Sequence, residues 1–168
     1  RRRAEYRRVV QESQTATFTQ QRDSKALPLL SEPDRDPEET RQRNQVIKLI
    51  RTNAFEEAQD RFRRLQIDYP ESVLPEAMQL EIANRIQADG DRDTAAVAYE
   101  RFLKRYPSSR QAPEVRLLLA VLLIRFLNRS QEAIPLLEKA TPDLISESHR
   151  RLAEKLLDEA GTAKEPSP

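Results

Sequence analysis

The sequence predicts an all-α chain: three stacked helix pairs closed by a capping helix. Three observations carry that expectation. The 168 residues include only two glycines, Gly90 and Gly161, and the commonest residues are Arg, Glu, Leu, Ala and Gln, mostly good helix formers. A sheet protein would need more turn glycine and more β-branched residues. Two stretches superpose, "YPESVLPEAMQLEIANRIQADGDRDTA" from Tyr69 and "YPSSRQAPEVRLLLAVLLIRFLNRSQEA" from Tyr106, with Pro70 falling on Pro107 at an offset of 37 and Pro75 on Pro113 at 38. A period of that size points to stacked helix pairs. The pattern also extends in both directions, because Pro37 lies 38 before Pro75, and Ala58, Ala95 and Ala133 follow one another at 37 and 38.

Taken in order, residues 1–36 read as a basic and polar arm or juxtamembrane linker. They carry Pro28 and Pro33, the polar stretch "QESQTATFTQQRDSK" and one apolar island, "ALPLL". Residues 37–160 read as the helical domain. Period and breakers place helices at about 38–52 with 55–68, 74–89 with 92–105, and 113–127 with 131–140. A last helix over about 143–160 has a polar face, "ESHRRLAEKLLDEAG", suited to the solvated cap a solenoid end requires. Residues 161–168 read as a disordered tail.

The stretch "GDRDTAAVAYERFLKRYP" resembles the second half of a tetratricopeptide repeat. Gly90, Ala95, Tyr99, Phe102 and Pro107 take the places of the turn glycine, the small residue, the aromatic, the further apolar residue and the terminal proline. One repeat earlier those places hold Asn53, Ala58, Phe62, Leu65 and Pro70; one later they hold Asn128, Ala133, Leu137 and Ala140, before the phase shifts to Pro142. The first half of the motif matches less, with Val46, Ala83 and Val121 at its small position. The resemblance covers residues 37 to about 160 and implies a short right-handed α-α superhelix. Its physics is that alanine admits close helix approach, the aromatic fills the gap between helices, and proline ends the second helix.

The residues exclude most chemistry. There is no cysteine, and the single histidine, His149, sits in the charged setting "ISESHRRLAEK", which predicts a solvated surface histidine and neither metal site nor catalytic dyad. No phosphate-binding glycine loop, dinucleotide turn, nucleophile elbow or HExxH occurs. Paired carboxylates such as Glu38 with Glu39 and Glu56 with Glu57 fall in first helical turns, where they complement the helix dipole. The expectation is a chain without catalytic residues, cofactor or metal, and without a small-molecule substrate. Lys and Arg total 29 against 28 Asp and Glu, so no global field attracts nucleic acid.

The most apolar stretch, "VRLLLAVLLIRFL" over residues 115–127, is too short and too interrupted by Arg116 and Arg125 to span a membrane. The resemblance makes it the inner helix of the third pair. By the family's groove positions, the residues facing the concavity are Arg43, Asn44, Ile47 and Arg51 in the first repeat, Leu80, Glu81, Asn84 and Gln87 in the second, and Leu118, Leu119, Leu122, Arg125 and Phe126 in the third. Two readings of the last set stand side by side: an apolar binding patch, or core covered by the capping helix. The paired lysines with which chaperone-binding members of the family clamp a terminal carboxylate are missing, since Arg43, Asn44, Leu80, Asn84 and Leu119 occupy those places.

For function, the leading expectation is a noncatalytic module that binds another protein or peptide. It would be membrane-tethered and cytoplasmic if the six arginines against Glu5 and Glu12 within residues 1–22 are the basic flank of a span preceding Arg1; the same run also reads as a plain solvated segment or a nucleic-acid contact. The alternative is a structural envelope-assembly or self-associating subunit, homo-oligomeric and periplasmic, because "FLKRYPSSRQAPEV" resembles repeats of bacterial envelope-assembly and Tol-Pal-associated proteins. Leu27, Leu29 and Leu30 are expected to dock in a groove of the chain's own solenoid or of a neighbouring molecule.

Overall fold

A computed structural model describes residues 36–162. They form seven α-helices and one 3₁₀ turn: α1 (Pro37–Arg51), α2 (Phe55–Asp68), α3 (Glu76–Ala88), α4 (Arg92–Arg105), α5 (Ala112–Arg125), α6 (Ser130–Ala140), the 3₁₀ turn (Thr141–Asp143) and α7 (Glu147–Thr162). No strand occurs among the described residues. The chain is all-α, with three tetratricopeptide-like antiparallel pairs followed by a capping helix.

The turn within each pair repeats one piece of backbone chemistry. Asn53 has φ 59°, Gly90 φ 94° and Asn128 φ 56°, and these are the three positions aligned in the sequence. The left-handed region favours glycine and tolerates asparagine better than other residues. Each left-handed residue lets the chain double back and satisfy the end of the preceding helix: Ala54 N donates to Leu49 O at 2.9 Å, Asp91 N to Ile86 O at 3.2 Å, and Arg129 N to Leu123 O at 2.8 Å. Two helix starts carry side-chain caps. Asp36 Oδ1 accepts from Glu38 N at 2.8 Å with Pro37 in the first turn, and the Asp91 carboxylate accepts from Thr94 N at 3.2 Å.

Packing follows the repeat. Ala58, Phe62 and Leu65 of α2, Ala95, Tyr99 and Phe102 of α4, and Ala133, Leu137 and Ala140 of α6 are all fully buried in one continuous core. Two buried polar groups tie α3 to α4. Gln79 accepts from Leu74 N at 3.1 Å and donates to Ala98 O at 3.0 Å, while Tyr99 donates to Asn84 Oδ1 at 2.6 Å.

Several boundaries differ from expectation, among them the start of α3, at Glu76 rather than near 74. α5 stops at Arg125, because Phe126 N and Leu127 N both turn back onto Leu122 O ahead of the left-handed Asn128. The last helix starts at Glu147 rather than near 143, because Pro142 lies in the 3₁₀ turn and Leu144 is extended with its side chain in the core. At the other end α7 runs through Gly161 to Thr162, whose Oγ1 donates to Glu159 O at 3.0 Å. The expected disorder of the tail falls on residues 163–168, outside the described residues.

Because Ala95 has no exposed surface, Ala95→Leu should overpack the α3–α4 pair. The expected loss is about 1–3 kcal/mol, read as a lower urea midpoint with an unchanged slope. An unchanged midpoint would mean that this small residue does not set the helix approach.

Candidate interaction site

α5 explains where the apolar stretch goes. From Ala112 to Leu123 every residue except Glu114 is buried, since α4, α6 and α7 all pack against it. Leu118, Leu119 and Leu122 are therefore core, at 0%, 1% and 0% exposure, and the capping helix is among those packed on α5. Its two arginines sit at the edges of this environment. Arg116 donates to Pro107 O at 3.4 Å, and Arg125, its side chain 3% exposed, pairs with Glu159 of α7 at 3.2 Å. Phe126 is partly buried, with the Arg92 guanidinium 4.4 Å from its ring centre.

The other groove candidates divide. Asn84 is buried and turned to the Tyr99 hydroxyl, and Gln87 is buried as well. Glu81 is partly buried and pairs with Arg85 at 3.4 Å. In α1, Arg43 is half-buried and donates to Val73 O at 2.8 Å, Ile47 packs on the core, and Asn44 and Arg51 are exposed. The candidates do not form one continuous open groove. Side chains at successive inner-helix positions are drawn into contacts with their partner helix that a position-by-position projection does not register.

Two candidates do meet at a concavity. Leu80 of α3 and Leu118 of α5, though nearly closed off, line one cavity of about 870 Å³. Its walls come from the loop and first turn leading into α5, including Arg110, Pro113 and Glu114, and from Lys139, Asp143 and Ile145 at the α6–α7 connection. Ile145 is 89% exposed at this rim. Glu114 is set apart electrostatically: burial pushes its carboxyl above the usual range, opposed by a backbone hydrogen bond and by the charge of His149, and its shielded Oε2 has no hydrogen-bond partner among the described residues. His149 itself is only 5% exposed, which corrects the expectation of a solvated histidine; α7 presents it inward beside Glu114.

Sequence reading missed Arg110, Lys139 and Ile145 because they lie outside the inner helices on which a groove projection rests. Ile145 did leave a signal, as a lone isoleucine in the polar stretch "TPDLISES". A second concavity of about 430 Å³ lies between the α2–α3 connection and α4, with Lys104 paired to Glu71 across it at 2.5 Å.

Compared with known families, residues 35–154 match the model of YfiO, described as outer membrane lipoprotein. The chain belongs to the YfiO family. The match runs from just before α1 into α7 and thus takes in all three helix pairs and the whole of the cavity lining. No curated protein and no solved structure matches the chain significantly. An outer membrane lipoprotein family is membrane-associated, and its description gives no support to the cytoplasmic placement expected from the basic arm, whose arginines are equally compatible with a plain solvated segment. No described helix is long and apolar enough to cross a membrane.

The raised Glu114 carboxyl has a testable sign. A group whose folded-state pKa lies above its unfolded value favours folding when protonated, so this contribution is lost as pH rises from the ordinary carboxylate range through the folded value. Glu114→Gln should therefore raise the thermal midpoint at neutral pH and leave it unchanged at about pH 3.5. Equal effects at both values would show that burial does not govern this group.

Proposed function

We propose that this YfiO-family chain is a noncatalytic structural subunit of an envelope assembly, its helical repeat held on the periplasmic side of the outer membrane and docking other polypeptide there. The single observation that carries the reading is the family match over residues 35–154, which spans the helical repeat together with its cavity. The cavity's chemistry supports it. The open apolar surfaces of Pro107 and Ile145 lie in one lining with the exposed Arg110 and Lys139, with Glu114 and Asp143 interspersed. A mixed apolar and polar concavity of this kind suits an extended peptide segment, whose side chains need pockets and whose backbone needs polar partners. The pairs share one continuous buried core, as a scaffold requires.

Self-association is the second reading, favoured by two large apolar side chains left open, Ile67 at 77% and Ile145 at 89% exposure. Interfaces recruit such residues as anchors. Sedimentation of the purified chain over a wide concentration range separates the two, since a strict monomer removes the homo-oligomer.

The full chain carrying an affinity tag and expressed in a bacterial envelope should fractionate with the outer membrane and cross-link in intact cells into a defined larger complex. Ile145→Asp should lower the yield of that complex at least about tenfold, the loss of roughly 1.4 kcal/mol, with helical circular dichroism unchanged. Recovery in the cytosolic fraction, or a complex indifferent to both Ile145→Asp and Arg110→Glu, would remove the proposal.

A further inference from the structure

We propose that the chain's own arm, through Leu27, Leu29 and Leu30, occupies the cavity at the start of α5. These leucines lie outside the described residues, and the argument rests on where the described chain begins and what the cavity offers.

The arm enters the fold at the end where the cavity opens. Hydrogen bonds trace that end from repeat to repeat. Asp36, at the start of α1, accepts from the Tyr69 hydroxyl at 3.4 Å; Tyr106 donates to Leu74 O at 2.8 Å; and Ser109 donates to Glu76 at 2.5 Å. The starts of α1, α3 and α5 thus share one edge of the solenoid, and Ser109 is itself part of the cavity wall. Packed helices lie 8–10 Å apart, so α1 to α5 along this edge is roughly 20 Å. An extended chain covers about 3.4 Å per residue, so the six residues from Leu30 to Asp36 reach about 20 Å and the nine from Leu27 about 30 Å. Asp36 has φ −50° and ψ 127°, so the chain already leaves α1 in an extended conformation. Proline restricts its own backbone and that of the residue before it, so Pro28 and Pro33 reduce the freedom to be lost on docking.

The chemistry of the arm and that of the cavity are complementary. "ALPLL" is followed by "SEPD", which places Glu32 and Asp34 just beyond the leucines. The cavity's open apolar surface is that of Pro107 and Ile145, above the closed-off Leu80, Val115 and Leu118, with Arg110 and Lys139 as exposed cations in the same lining. The exposed Ile145 at the rim gains a partner. Tethering favours the chain's own arm over that of a second copy, because a short linker sets an effective concentration in the millimolar range. A partner entering the cavity then has to displace the arm.

The absence of cysteine from the sequence allows a direct test. Full chains carrying Ile145→Cys paired with Leu27→Cys, Leu29→Cys or Leu30→Cys are oxidised at low protein concentration, beside a control pairing Ile145→Cys with Thr19→Cys. A disulfide requires the two Cα atoms to come within about 7 Å. At least one leucine position should close an intramolecular disulfide about tenfold faster than the Thr19 control, and Arg110→Glu with Lys139→Glu should slow it. Equal rates at all four positions would show an arm that samples the surface without docking and would overturn the proposal. Disulfides formed only between two chains would overturn it in favour of exchange. Because Ile145 is exposed, helical circular dichroism of each variant should match the parent. The result is independent of where the chain resides, so its failure is distinguishable from failure of the envelope-scaffold reading.

Discussion

The burial of α5 is the constraint on which the rest of the structure depends. A helix that is apolar nearly all round has no solvent face to offer and is stable only when surrounded. α4, α6 and α7 together provide that surrounding, and the length and placement of the capping helix follow from it. Replacing any of the fully buried leucines 117, 118, 119, 122 or 123 with alanine would open a cavity costing about 2–5 kcal/mol, a large share of the stability of a domain of this size. Substitutions at Leu122 consequently report on folding and cannot by themselves measure binding.

The same constraint creates the concavity. To reach α5, the chain after α6 makes the 3₁₀ turn at Thr141–Asp143 and buries Leu144, and this throws Ile145 outward. The phase shift at Pro142 marks the junction between the third pair and α7, and the cavity sits at that junction. The family match over residues 35–154 reaches past that junction into α7. Glu114 and His149 meet at the same place, two ionisable groups brought beneath the cap by helices more than thirty positions apart in the sequence.

Several features were legible in the sequence because they depend on local chemistry. Asn53, Gly90 and Asn128 could be aligned as turn positions, and all three are left-handed. Ala58, Ala95 and Ala133, with Phe62, Tyr99 and Leu137, could be placed in the core by period alone, and all are fully buried. Proline marked the edges of the pairs to within a residue or two. The all-α class and the number of pairs follow from these signals, each of which acts within one helix or one turn.

Which faces stay open was decided only by the tertiary structure. The periodicity of α5 is compatible equally with a groove and with core, because an apolar residue carries no mark of what covers it, and α7 settled the matter by packing across it. Asn84 and Gln87 read as groove polars until Tyr99 and the neighbouring helix enclosed them, and His149 read as solvated because its charged sequence neighbours point away from it on a helix. The cavity gathers residues from α3, α5, α6 and two connections, and no spacing rule links positions so far apart. Local backbone preference determined the elements; the exclusion of water between them determined the surface.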